Sequence, residues 1–239
     1  MNKKIDLYSD GIGCVEYVDH MGSDLTIVNS ARVSFGVEKK EVDKRDKKLI
    51  NYLIKNRHTS TLEHNVVTFK FTVPMFVRSQ HHRHRTWSYN EISRRYTDDG
   101  LQFYAPKSFR TQHKSDRQSS NLNGLIDPTI TPNFSDTYIK SSEAMIAFHK
   151  HALDLFEQLI DKGVCREQAR GVLPQNLYTE YYGTVNLNNL IKFIVLREDS
   201  HAQKEIQDVA RACRTIATQL WPVSMETFNK NFISEKPSL

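Results

Sequence analysis

Asn65–Val73 reads N-V-V-T-F-K-F-T-V. Val67, Phe69, Phe71 and Val73 alternate with Thr68, Lys70 and Thr72, the period of two expected of a strand with one buried face. Pro74 closes the strand and suits the first turn of a helix over Met75–His84. Working outward, Gly11–Asp19 has β-type character, and Leu177–Asn186, rich in Tyr and Thr, reads as a further strand. Helical spacing fills most of the rest. Ser23-Asp24 caps a short helix through Leu25, Val28, Ala31 and Val33. The charged run Glu38–Lys48 is the solvated start of a helix that continues through Leu49, Ile50, Leu53 and Ile54. Ser135 or Asp136 caps a helix carrying Met145, Phe148, Ala152, Leu155, Phe156 and Leu159, which Gly163 stops. Arg166–Val172, Leu187–Ser200 and Gln203–Trp221 supply three more. Lys107–Ser135, rich in Ser, Asn, Thr, Asp and Pro, reads as a long surface loop. The expected fold class is α+β, with helices segregated around a small, mainly antiparallel sheet.

The chain has 239 residues, 38% hydrophobic and 26% charged, enough to bury a core without disulfides as one large domain or two small ones. No run approaches the roughly 18 apolar residues of a spanning helix. Met1–Asp6 lacks the apolar stretch of a secretory signal. Cys14, Cys165 and Cys213 are too few and too scattered for a disulfide framework or a zinc site. A reduced, cytoplasmic protein with no membrane association is expected. Thirty-three basic against 28 acidic side chains give a net charge of +5, which suggests an anionic partner such as a nucleic acid, a nucleotide or a phosphorylated cofactor.

The densest chemistry lies in Gln80–Tyr96, Q-H-H-R-H-R-T-W-S-Y-N-E-I-S-R-R-Y. Arginine forks suit bidentate phosphate binding, and serine hydroxyls with exposed N–H groups are the usual companions of bound phosphate. Glu91 among these cations stays ionised and can accept from ribose hydroxyls or hold an arginine in place. Three other readings compete: a basic solvated helix face, a metal site from His81, His82 and His84, and nucleic-acid binding through arginines interleaved with Trp87, Tyr89 and Tyr96. The arginines beside the histidines would repel a cation, and no carboxylate pair accompanies them. With Ile92 as its only aliphatic side chain, the stretch is hard to explain as core.

Arg83-His84-Arg85, followed by Ser88-Tyr89-Asn90-Glu91-Ile92-Ser93-Arg94-Arg95-Tyr96, resembles the R-H-R…S-x-R signature of the flavin-dependent thymidylate synthases. Asp19–Phe35, His58–His64 (HTSTLEH), Gly163–Tyr178 (GVCREQARGVLPQNLY) and Leu196–Gln203 (LREDSHAQ) resemble other segments of that family, so the likeness covers most of the chain except Lys107–Ser135. It implies one domain over residues 1–239 with a loop insertion at 107–135. It implies a homotetramer whose active sites are shared between subunits, acting on small molecules and not on nucleic acid. The implied reaction is methylation of dUMP to dTMP, with 5,10-methylenetetrahydrofolate as carbon donor and NADPH reducing FAD, the hydride source. The absence of a G-x-G-x-x-G run counts against a Rossmann flavin site but not against this family.

The resemblance also assigns residues. Gln80, Arg83, Glu91, Ser93, Arg94, Arg95, Arg170 and Arg197 would bind dUMP. Arg197 would be catalytic, its guanidinium stabilising negative charge as uracil N3 loses its proton. Ser60, Glu63, Arg83, His84, Arg85, Asn90, Glu91, Asn186, Asn188 and Lys192 would hold FAD. Asn188 and Lys192 stand where the family often has an arginine and an asparagine. No metal is implied. Without the motif, an edge arginine paired with Glu198 or Asp199 is the favoured reading of Arg197, and His201 could share its helical face in a structural role. Classical thymidylate synthases attack uracil C6 with a cysteine. None of the three cysteines here lies in the motif cluster, although Cys165 stands at a helix start.

Overall fold

The computed structural model describes residues 3–97, 100–117, 119–134 and 136–233. Along the chain come β1 (Lys4–Asp6), β2 (Cys14–Met21), α1 (Asp24–Arg32), α2 (Lys44–Lys55), a 3-10 segment (Thr59–His64), β3 (Val66–Pro74), α3 (Met75–His81) and β4 (Ser88–Glu91). There follow β5 (Phe109–Gln112), β6 (Ser120–Ile126), β7 (Thr129–Ile130), β8 (Ile139–Lys140), α4 (Ser141–Asp161) and α5 (Arg166–Ala169). The last elements are β9 (Tyr178–Asn186), α6 (Leu187–Arg197), α7 (Lys204–Leu220) and α8 (Pro222–Phe228). The class is the mixed α/β arrangement expected. Two compact units share the chain: one holds residues 1–72, 80–90 and 181–239, the other 73–79 and 91–180.

In the first unit the sheet runs β1-β2-β3-β9-β4. β1 and β2 pair antiparallel, as do β2 and β3, with Cys14 opposite Thr72, Met21 opposite Val66 and a bulge between Tyr17 and Asp19. The alternation read from the sequence is the burial pattern: Val67, Phe69 and Phe71 are wholly buried. The apolar face of α6, through Leu187, Leu190, Phe193 and Ile194, and that of α7, through Ile206, Val209, Cys213 and Ile216, are buried too. Asp24 lies at the start of α1, where Ser23 is the N-cap. Its carboxylate accepts from Val223 N at 2.9 Å, Ser224 N at 3.0 Å and Ser224 Oγ at 2.6 Å, capping α8 from a distant part of the chain. Gly22, at φ 86°, has Asn65 Oδ1 2.1 Å from where a Cβ would stand, so a side chain is excluded there. The charged run Glu38–Lys48 becomes helical only at Lys44, because Asp43 accepts from Arg45 N and Asp46 N and sets the boundary.

In the second unit α4 begins at Ser141, not after the expected cap. Ser135 lies outside the described residues, and Asp136 does not cap. Asp127 instead accepts from Ser142 N at 3.0 Å and Ser142 Oγ at 2.8 Å, so a residue upstream in the chain fixes the helix start. Gly163 does end α4, at φ 85° just past Lys162, the left-handed position glycine favours. The segment expected as a loop carries a hairpin: β5 and β6 pair antiparallel from Phe109–Ile126 to Gln112–Ser120. β5 is half-buried and β6 largely exposed, and neither has the regular apolar alternation by which a strand is recognised.

Candidate active site

α6 is capped by Asn186, whose side-chain oxygen accepts from Asn189 N at 2.9 Å. It ends at Arg197, which therefore leaves the apolar helix at its polar end. Arg197 is not an edge arginine paired with its neighbours. Glu198 takes Arg214 at 2.7 Å, and Asp199 takes His201 at 2.8 Å; His201 lies beyond the helix and is exposed. Arg197 instead donates from Nε to His84 Nε2 at 3.0 Å and from a terminal nitrogen to the Gln80 carbonyl at 3.1 Å. His84 can accept there only as the neutral imidazole with its proton on Nδ1. Burial, then the nearby Arg197 charge, lower its pKa to about 4, so the neutral form is the one present near pH 7. Burial and the charge of Arg83 lower that of Arg197, which as a guanidinium remains a cation. Three of its five N–H groups have no acceptor among the described residues and are available to a ligand.

Behind this pair, His81 is wholly buried, with Nδ1 2.9 Å from the Tyr181 hydroxyl. Its ring meets Trp87 at 4.5 Å and Phe193 at 4.6 Å between centroids. The stretch Gln80–Tyr96 thus does enter the core, through an aromatic cluster and not through aliphatic side chains. Burial holds the His81 imidazole well below its usual pKa, helped by His84, His82 and Arg197. Among the described residues no three His, Cys, Asp or Glu side chains come together as metal ligands.

A cavity of about 300 Å³ in the same unit is walled by Ile54, Leu62, Ile191 and Val195, with Thr59, Asn188, Arg57 and Lys192 adding polar groups. Asn188 is buried and donates to Glu63 Oε1 at 2.7 Å. Lys192 Nζ lies 3.4 Å from Asn189 Oδ1. Ser60 stands on the neighbouring 3-10 segment and is exposed, as are Arg83, Arg85 and Asn90. Apolar walls with cations beside them fit a flat heterocycle carrying an anionic tail. The cavity is at the small end for a ligand site and holds only part of a dinucleotide. Arg57 was not legible as a site residue; it follows α2 with φ 57°, a conformation that the sequence K-N-R does not announce.

The second unit has a larger cavity, of about 580 Å³, to which Glu91, Ser93, Arg94 and Arg170 all contribute. These four predicted residues are brought together, whereas Arg95 is not among the lining. Its Nε lies 3.9 Å from Glu167 Oε2. Arg78, which sequence reasoning missed, also lines the cavity. Glu91 Oε1 accepts from Arg78 Nε at 2.9 Å and from Thr179 Oγ1 at 2.6 Å, which leaves Oε2 without a partner among the described residues. The only signal for Arg78 was a cation on the helix preceding the arginine-rich stretch. Cys165 is exposed in this unit and outside the lining; Cys14 and Cys213 are buried, and burial raises both thiol pKa values.

Arginines, a serine and a fixed carboxylate line the cavity of the second unit, and in the first unit a part-buried arginine is held by a neutral histidine; groups of this kind suit phosphorylated planar ligands. The family model described as "Thymidylate synthase complementing protein" matches residues 16–223. A flavin-dependent thymidylate synthase of Thermus thermophilus is 41% identical over 224 residues, covering 92% of this chain and 77% of the relative. One from Thermotoga neapolitana is 40% identical over 218 residues, 91% of each. The crystal structure of a UMP/dUMP methylase, PolB, from Streptomyces cacaoi bound with 5-Br dUMP aligns with a TM-score of 0.78 at 33% identity, over 95% of this chain and 98% of that one. The chain belongs to the flavin-dependent thymidylate synthase family and is accordingly a methyl-transferring enzyme.

Proposed function

We propose that the chain methylates dUMP to dTMP, with 5,10-methylenetetrahydrofolate as carbon donor, FAD as the flavin and NADPH as its reductant. Arg94, Arg95 and Arg170, with Ser93, bind the nucleotide phosphate through charge-assisted hydrogen bonds. Glu91 accepts a sugar hydroxyl through its free oxygen. Arg197 lies against the uracil and stabilises the negative charge that develops as N3 loses its proton. C5 thereby gains the electron density to form a bond to the folate methylene carbon; the bond from that carbon to the folate nitrogen breaks, and C5 gives up its proton. When bound, reduced FAD would supply the hydride that completes the methyl group. Arg83, His84, Arg85, Asn90, Asn186, Asn188 and Lys192, with Ser60 and Glu63, hold that cofactor.

The observation that carries this reading is Arg197, fixed by a neutral His84 and the Gln80 carbonyl with N–H groups to spare. No enzyme thiol takes part, in keeping with two cysteines buried and the third outside the arginine-lined cavity. The enzyme works as a cytoplasmic homotetramer whose subunits share active sites. No helix among the described residues is long and apolar enough to cross a membrane.

An absorbance spectrum of purified protein with added FAD, repeated with dUMP and NADPH, tests the reading. A flavin band that bleaches with NADPH, and dTMP formed once methylenetetrahydrofolate is present, are expected. A protein that takes up no flavin and leaves dUMP unchanged overturns it. Strongly salt-dependent binding of DNA or RNA by such a protein would point to nucleic acid instead.

A further inference from the structure

Three side chains of the first unit form a line that ends at Gln80. Gln80 Nε2 donates to Gln203 Oε1 at 2.5 Å, and Gln203 Nε2 donates to Glu205 Oε2 at 2.9 Å. Gln203 is anchored at the main chain. It is the N-cap of α7, and its carbonyl accepts from Ile206 N and Gln207 N, both at 3.1 Å. Glu205 is buried at 4% exposure and sits in the first turn of α7, the helix end that favours a negative group. The Tyr8 hydroxyl donates to its main-chain carbonyl at 3.2 Å. At the other end, the Gln80 carbonyl accepts from Arg197, so the line is tied to the residue that addresses the base.

A glutamine amide has an acceptor on one arm and donors on the other, and its neighbours decide which way it faces. An ionised carboxylate only accepts. Glu205 therefore draws the NH2 of Gln203, which turns the Gln203 oxygen toward Gln80. That oxygen draws the NH2 of Gln80, and Gln80 Oε1 is left facing outward. It has no partner among the described residues, and Gln80 is partly exposed. We infer that Glu205 and Gln203 are positioning residues that fix the polarity of Gln80, so that the amide oxygen, a hydrogen-bond acceptor, is the arm it turns toward dUMP. The inference rests on the dUMP reading above. The donor it receives is an N–H or O–H of the nucleotide, either uracil N3–H or the sugar 3′-hydroxyl.

Equilibrium titration with dUMP tests this on the full-length protein loaded with FAD. Glu205→Gln and Gln203→Met should each weaken binding roughly tenfold, the worth of one net hydrogen bond. The double variant Gln203→Glu with Glu205→Gln should return to within about threefold of wild type. The carboxylate is then at position 203 and again accepts from Gln80, while the amide at 205 donates to it. A purely structural role for Glu205 gives no reason for that swap to restore binding. N3-methyl and 3′-deoxy forms of dUMP distinguish the two donors: the one that binds wild type weakly should lose nothing further in Gln203→Met. Circular dichroism identifies a Glu205→Gln protein that fails to fold, and Gln203→Met then decides. Wild-type binding of dUMP with both single variants unaffected, or with the swap as weak as either single, overturns the inference alone. A wild-type protein that ignores dUMP overturns the functional reading and the inference with it.

Discussion

Arg197 and His84 act as a pair because each settles the state of the other. The cation disfavours a second proton on the imidazole, and the bare Nε2 lone pair accepts from the cation at 3.0 Å. Arg197→Ala should lower kcat roughly a hundredfold to a thousandfold with an unchanged circular dichroism spectrum; near-normal turnover would remove Arg197 from the chemistry. His84 carries a second consequence. Its pKa falls from 6.5 to about 4 on folding, so between those values the unfolded chain binds a proton that the native chain does not. Stability therefore rises with pH through that window and is lost as the pH falls from 6.5 toward 4, and His81 acts with the same sign. Urea midpoints should drop as the pH is lowered across the window, with a shallower drop in His84→Gln; a flat profile would contradict the assignment. Cys165→Ala should keep full turnover, and a folded but inactive variant would restore a thiol to the mechanism. At this scale the position of Arg197 after an apolar run left an edge residue as the favoured reading, and only the L-R-x-D-S-H-A-Q resemblance pointed to a site. The sequence could not announce the acceptors, because His84 lies 113 residues away.

Elements are fixed partly by their own residues and partly by distant ones. β3 and α6 declare themselves, since alternation and helical spacing of apolar side chains follow from burying one face. α8 does not. It is seven residues long, and its leading N–H groups are satisfied by Asp24, about 200 residues away. Asp24→Ala should cost about 1–2 kcal/mol, read as a lower denaturation midpoint, and a variant as stable as wild type would show that the cap contributes nothing. β4 (Ser88–Glu91) was also hidden. Its four residues, S-Y-N-E, have no apolar alternation and become a strand by pairing at the sheet edge. The β5–β6 hairpin is the same case in a polar segment.

For the whole molecule, two features bear on assembly. The cavity beside α6 is small for a dinucleotide, and Val33 and Phe35 are 73% and 82% exposed, an unusual place for such side chains in an isolated chain. Light scattering coupled to an activity assay should find turnover only in an assembled species, and an active monomer would refute shared active sites.

The residue pattern alone determined the class of fold, the main strand, the large helices and the arginine-rich stretch, because periodic burial and local charge leave their mark on consecutive positions. Tertiary structure decided which side chains meet. Glu63 on Asn188, Arg197 on His84 and Asp24 on α8 are contacts between segments far apart in the chain. Hydrogen-bond geometry of that kind depends on how packed elements cross, which no short window of sequence contains.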